Sequence, residues 1–356
     1  METVFLQPHA CERNNGPTMQ PPAQPAEHRR VHAATREGYV LPVIDVTDPR
    51  FTVPDDPETV RSYFEGFAEE AFRRRMPRFL MRLMLKWLAR RSLLVKAMFG
   101  SGGSFLDGVS TYVMKLGVDN LVPPFDTPID RRFAASPHVA LLRLRTQQVA
   151  GLLAEALTGA LTAAEGTPLH LINIGGGPAI DSINTLILLN RHRPDLLRRR
   201  VVIHVLDGDD AGPYFGANAL AALKERGGAL EGLDIGFEHK DYDWNAPAAL
   251  GSLIGELNSG PAVIAASSEG ALFEYGSDEA IVANLQALRA DGRGAVAVAG
   301  SVTGADPIRR RMIRETPFKL IPRGVEGFTP LAERGGMRIA KSASCGFSEQ
   351  VLLRRL

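Results

Sequence analysis

Three consecutive glycines, Gly175, Gly176 and Gly177, end the apolar run from Leu169 to Ile174, and no other stretch of the chain is better equipped to hold a ligand. Where a turn lacks side chains, backbone N–H groups can approach a bound molecule closely, and the helix that follows offers its free amides to a polar or anionic group. Asp207 closes the next apolar run, Asp241 and Asp243 flank Tyr242 after a third, and Ser267-Ser268-Glu269 follow a fourth. Carboxylates accept hydrogen bonds and can take a proton from a reacting group, so the succession suits a nucleotide-sized polar ligand at the glycine turn and, where the reaction needs one, a base. Glu269 is the first candidate base, followed by Glu274 and Tyr275. Tyr112 and Tyr275 can each hydrogen-bond a substrate, although an aromatic at the core edge with one satisfied hydroxyl is the commoner role.

Alternating elements must position these residues. Short apolar runs at 169–174, 201–207, 234–239, 262–266 and 294–299 alternate with helical patterns at 180–192, 214–226, 247–257 and 278–289. That beat predicts a doubly wound, mostly parallel sheet, whose ligands lie beyond the carboxyl ends of the strands. A helix at 327–334 and strands at 337–344 and 350–354 close the pattern as an antiparallel hairpin.

The part before residue 166 reads differently. Residues 1–36 are rich in Pro, Gln, His and Arg without apolar period and read as a disordered tail. Helical patterns follow at 57–98, 106–116 and 137–161, with a Gly-Ser break at 100–104 and a proline-rich loop at 120–132. This mass, residues 37–165, is expected to form a helical cap over the ligand face of an α/β domain spanning 166–356. The cap contains a stretch from Arg73 to Arg91 with no acidic residue. Three roles suit it: a helix on a membrane surface, a lid that attracts an anionic substrate, or a packing helix with a solvated basic face.

Composition narrows the classes. A net charge of +1 gives no reason to invoke nucleic acid. Cys11 and Cys345 have no metal-ligand spacing, and no second histidine gives His204 or His239 metal geometry, so no metal site is expected. No run of about 18 apolar residues occurs, so a membrane span is not expected and a cytoplasmic location follows by elimination.

Two nucleotide fingerprints fail. Ile180 occupies the third glycine position of a dinucleotide loop, and no Lys-Ser/Thr follows the glycines as a P-loop requires. The sequence Ile172-Asn173-Ile174-Gly175-Gly176-Gly177-Pro178-Ala179 instead resembles the first motif of the class I S-adenosylmethionine-dependent methyltransferases, with Asn173 in place of the usual acid and Ala179 in place of the last glycine. The likeness covers about residues 169–356, and the terminal hairpin is part of it. It implies S-adenosylmethionine as cofactor, S-adenosylhomocysteine as product, and a small-molecule acceptor under a helical lid. By the same likeness, Asn173, Gly175, Gly176, Gly177, Asp207, Asp241, Tyr242, Asp243 and Ser267 would hold the cofactor, and Glu269 and Tyr275 would act in catalysis. Tyr242 or Trp244 would stack on the adenine, and Asn173→Asp is expected to leave cofactor affinity unchanged or improved. The basic stretch favours an anionic acceptor, and the assembly allows a homodimer. Two other readings share the fold signal: a cofactor-binding regulatory partner without turnover, and a nicotinamide-dependent oxidoreductase.

Overall fold

The computed structural model describes residues 29–73, 83–84, 86–100, 108–289, 294–315 and 318–356. Most of the expected tail, most of the Gly-Ser break and part of the basic stretch lie outside these residues.

The chain begins with a small antiparallel hairpin, β1 (His32–Ala34) and β2 (Val40–Pro42). Helices α1 (Pro57–Arg73), α2 (Leu93–Gly100), α3 (Gly108–Lys115), α4 (Pro128–Ala134) and α5 (Pro137–Ala163) follow. The α/β alternation then runs β3 (Leu169–Ile174), α6 (Ile180–His192), β4 (Val201–Leu206), α7 (Ala211–Lys224), β5 (Ile235–Lys240), α8 (Ala248–Leu257) and β6 (Val263–Ser268). It continues through α9 (Leu272–Tyr275), α10 (Asp278–Arg289), β7 (Ala297–Thr303), α11 (Pro307–Glu315), α12 (Gly324–Arg334), β8 (Met337–Ser344) and β9 (Ser348–Arg355).

Seven strands form one sheet in the order β5-β4-β3-β6-β7-β9-β8, parallel from β5 to β7 and antiparallel across β9 and β8. The expected mostly parallel seven-stranded sheet with a C-terminal antiparallel hairpin is therefore present. The order reverses between β3 and β6, so the crevice a ligand would use opens beside the glycine turn. β4 is buried at every position because helices cover both faces of the sheet, whereas β5 ends in exposed Glu238, His239 and Lys240 at the edge.

Three sequence expectations change. The tail was expected to reach residue 36, yet His32–Ala34 is a strand with Ala33 buried, and Ala34 O accepts from Asn218 Nδ2 at 2.9 Å. Polar composition there hid a short segment tied down by its pairing with β2 and by the Asn218 side chain of α7. The loop at 120–132 gives way to α4, because Thr127 and Asp130 form a reciprocal capping box at its start. The boundary near residue 165 falls inside a continuous core: α5 packs against α6, β6, β7 and β9, and one apolar cluster runs from Leu41 through Leu153 to Leu169 and Leu352. The longest helix of the expected cap is thus a layer of the sheet itself.

Among the described residues no helix is long and apolar enough to cross a membrane. His204 meets a second histidine: His170 Nδ1 lies 2.9 Å from His204 Nε2, and His204 Nδ1 lies 3.1 Å from Glu238 Oε2. No group among the described residues has metal-binding geometry. Burial first, and then His204, lower the His170 imidazole from 6.5 to about 4. A histidine depressed in the fold binds its proton more readily when unfolded, so the stability it contributes is complete above about pH 6.5 and declines as pH falls towards 4. A His170→Phe variant should show a flatter melting temperature across that window than the parent. Parallel profiles would refute the coupling.

Candidate active site

The turn after β3 is tight because three of its residues adopt left-handed backbone: Gly175 (φ 68°), Gly177 (φ 54°) and, unusually for a residue with a side chain, Ala179 (φ 53°). A Cβ at Gly175 would lie 2.8 Å from both Trp244 Cζ3 and Ala271 Cβ, so the Trp244 indole rests on the turn. A Cβ at Gly176 would collide with Asn173 Oδ1. At Gly177 the neighbour is another glycine. A Cβ there would lie 3.0 Å from the Gly108 Cα at the start of α3, and one on Gly212 would lie 2.8 Å from the Gly177 Cα. Backbone from the helical region therefore sits directly on the glycine turn.

Asp207 holds the turn from the next strand. Its Oδ2 accepts from Gly177 N at 2.8 Å and its Oδ1 from Asp209 N at 2.9 Å. A carboxylate offers about four acceptor positions, so two remain for hydroxyls of a ligand. Burial raises its pKa, partly opposed by the two backbone donors. Asp209 takes Gly108 N at 3.2 Å and Ala211 N at 3.1 Å, which fixes the start of α3 rather than a ligand. Asp241 is exposed beyond β5, with its Oδ1 3.9 Å from a Cβ built on Gly208. Asp243 is exposed too, but its Oδ1 caps a local turn by accepting from Asn245 N and Nδ2. Of the two, Asp241 has a carboxylate oxygen near Gly208, the residue after Asp207, whereas the Asp243 carboxylate is engaged by its own turn.

Three expected ligand contacts lie behind the turn instead. Tyr242 belongs to the core, and its hydroxyl donates to Asn284 Oδ1 at 2.5 Å, so Trp244 is the aromatic left to stack on a ring. Ser267 is buried, with its Oγ accepting from Asn173 and pairing with Ser182 Oγ at 3.2 Å. Asn173 is fully buried and donates Nδ2 to Asp181 Oδ1 at 2.7 Å and to the hydroxyls of Ser182 and Ser267 at 3.1 Å. Asp181, on the first turn of α6, is buried as well. Burial and the nearby Glu269 raise its pKa. An amide at position 173 thus serves a buried acid where a second acid would repel it.

Glu269 is not poised as a base. Its carboxylate pairs on one side with Lys115 of α3 and on the other with Arg145 Nε of α5, and Arg145 Nη1 reaches both oxygens of Glu274 at 3.2 Å. All four side chains are buried. Burial alone would raise the Glu269 pKa, but Arg145 and Lys115 hold it down at about 2. A carboxylate so acidic accepts a proton poorly near neutrality. Its role is to join two helices before β3 to the ends of the strands. Tyr275 is half-buried, and burial raises its phenol, as does Glu274, so it keeps its proton near neutrality and is able to donate a hydrogen bond. Arg145 and Arg309, the latter buried on α11, both lie within electrostatic reach of it. Tyr112 is core: its hydroxyl accepts from Ile44 N at 2.8 Å and donates to Pro42 O at 2.6 Å.

Sequence reasoning missed Lys115, Arg145, Asp181 and Arg309. One signal was available, since Lys115 and Arg145 interrupt apolar runs, Val113-Met114-Lys115-Leu116 and Leu141-Leu142-Arg143-Leu144-Arg145. A charge on an apolar helix face calls for a buried partner.

No protein-family model matches the chain, and no curated protein matches it. Solved structures do. A protein described as a possible exported protein from Bordetella parapertussis aligns at 14% identity over 85% of this chain and 99% of its own, with a TM-score of 0.48. A riboflavin-derivative dimethyltransferase from Streptomyces davawensis aligns at 16% identity over 74% of this chain and 70% of its own, TM-score 0.36. An O-methyltransferase from neocarzinostatin biosynthesis, solved with S-adenosylhomocysteine and a dihydroxynaphthoic acid, aligns at 18% identity over 63% of this chain and 58% of its own, TM-score 0.36. Likeness at this level transfers no residue role to this chain.

Proposed function

We propose that the protein transfers a methyl group from S-adenosylmethionine to a small molecule. The observation that carries this reading is the glycine turn of β3 held by Asp207 from β4, in a sheet that ends in an inserted antiparallel hairpin. The nucleoside end of the cofactor fits the residues present: Asp207 and Asp241 as acceptors for hydroxyl and amino groups, and Trp244 as a stacking surface. The bound cofactor would supply an electrophilic methyl group. The chain would align the acceptor beside the strand ends and exclude water, which suffices for an in-line displacement. Neutral Tyr275 would donate a hydrogen bond to the acceptor.

Calorimetry tests the reading. Both S-adenosylmethionine and S-adenosylhomocysteine should bind while nicotinamide dinucleotides do not, and Asp207→Asn should weaken S-adenosylhomocysteine by about 10- to 100-fold, the range for a hydrogen bond to a charged group. Absence of binding by the parent would end the proposal. The pairing of Glu269 supports a second reading, a cofactor-binding partner protein without turnover. Methyl transfer into an extract of small metabolites distinguishes the two.

A further inference from the structure

We infer that Asp181 exchanges a proton for the positive charge of the ligand: its buried carboxyl releases a proton to solvent when a cationic ligand settles on the glycine turn. This rests on the methyl-transfer reading, since S-adenosylmethionine carries a sulfonium that its neutral nucleoside relatives lack.

The carboxyl of Asp181 is held on one side alone. Asp181 lies on the first turn of α6 and is 1% exposed. Its Oδ1 accepts from Asn173 Nδ2 at 2.7 Å, and its Oδ2 has no hydrogen-bond partner among the described residues. A buried carboxylate oxygen without a donor is costly, and a carboxyl that keeps its proton escapes most of that penalty. The groups around it supply no cation of its own. Asn173 of β3 and Ser267 of β6 are neutral, and Glu269 beyond β6 is a carboxylate already paired with Lys115 of α3 and Arg145 of α5. Burial first, and then Glu269, push the Asp181 carboxyl above its ordinary range, and Ser267, the Ser182 N–H and Lys115 offset only part of this.

A cation on the turn would reverse the balance. Asn173 spans the gap, because its Nδ2 touches Asp181 while its Oδ1, also without a partner among the described residues, lies so close under Gly176 that a Cβ there would collide with it. The carboxyl is thus one amide away from the middle glycine, in an interior that screens charge weakly. Ionised Asp181 polarises that amide and turns negative charge towards the ligand, and a proton on Asp181 cancels the effect. Proton and ligand cation therefore compete, and linkage makes the competition reciprocal. Affinity for a cationic ligand should rise with pH through the range in which Asp181 titrates and level off above it. Burial also raises Asp207, but that residue would face the nucleoside, which charged and neutral ligands share.

The test is calorimetry of the full chain in phosphate and in Tris, whose unlike ionisation enthalpies count the protons released. S-adenosylmethionine should release protons, and 5′-methylthioadenosine, which keeps the nucleoside without the sulfonium, should not. Between about pH 5 and about pH 8 the affinity for S-adenosylmethionine should climb by up to about tenfold per pH unit, the limit for one linked proton. Asp181→Asn keeps an acceptor for Asn173 and should flatten that profile and abolish the release. Infrared spectra of the unliganded protein should contain a protonated-carboxyl stretch that this variant loses. Equal proton counts for the two ligands, a pH profile unchanged by Asp181→Asn, or no carboxyl stretch lost in the variant would overturn the inference. If the parent binds neither S-adenosylmethionine nor S-adenosylhomocysteine, the methyl-transfer reading fails and takes this one with it. Binding of both without proton release defeats the exchange alone.

Discussion

Asn173→Asp should destabilise the protein by about 3 kcal/mol or more at neutral pH, the range for an uncompensated buried charge, and so lower the melting temperature by several degrees. The sequence-level expectation concerned the ligand, with S-adenosylmethionine affinity unchanged or improved, and did not weigh the fold. Asn173 is fully buried, however, and its Nδ2 is 2.7 Å from the Asp181 carboxylate. Asp at 173 would set two carboxyl groups against each other with no cation in direct contact, and at least one would hold its proton well above the usual carboxylate range. A group whose folded pKa is raised favours the fold below its unfolded pKa and disfavours it as pH rises. The penalty should therefore be small below about pH 4 and grow towards neutrality. Exchanging the pair, Asn173→Asp with Asp181→Asn, keeps one amide and one acid in contact and should recover most of the loss. If Asn173→Asp melts with the parent at neutral pH, Asp181 does not occupy the place described.

Glu269→Gln is the second large effect, and it should be one of stability. Removing one partner of a buried pair leaves an uncompensated charge and typically destabilises by about 3–5 kcal/mol. Here two cations, Lys115 and Arg145, lose their shared carboxylate. At about 2 °C per kcal/mol in a chain of this size, the melting temperature should fall by roughly 6–10 °C. Adding Lys115→Met should return part of it by removing a stranded charge. A general base would behave otherwise, with turnover lost and melting unchanged, and that outcome would sink the structural assignment. The sign with pH is also fixed. Glu269 has a depressed pKa, so its stabilisation is complete above about 4.5 and declines only as pH falls towards 2.

How far the sequence could be read depended on the range of the interactions. The sheet was legible because each strand carries its own pattern: β3 and β4 are apolar but for His170, Asn173 and His204, and glycines at 335, 336 and 346 punctuate the terminal hairpin. The glycine turn and Asp207 were legible for the same local reason. Which side chains face the crevice was not, since that depends on partners far apart in the chain. Tyr242 reaches Asn284, Glu269 reaches Lys115 and Arg145, and Asn173 is defined by Asp181 on the next helix. The capping box of α4, Thr127 with Asp130, was local and could have been found.

The three-glycine contact at the start of α3 gives this short helix two unlike ends. At Lys115 it is pinned by a buried charge, and near its middle Tyr112 is held by two hydrogen bonds. At Gly108 it rests on Gly177 and Gly212 through bare backbone, with a 3.2 Å bond to Asp209. Glycines have no rotamers to freeze, so this contact is made without ordering any side chain of its own. Over eight residues, about 12 Å, the helix ties a buried ion pair at one end to the glycine turn at the other.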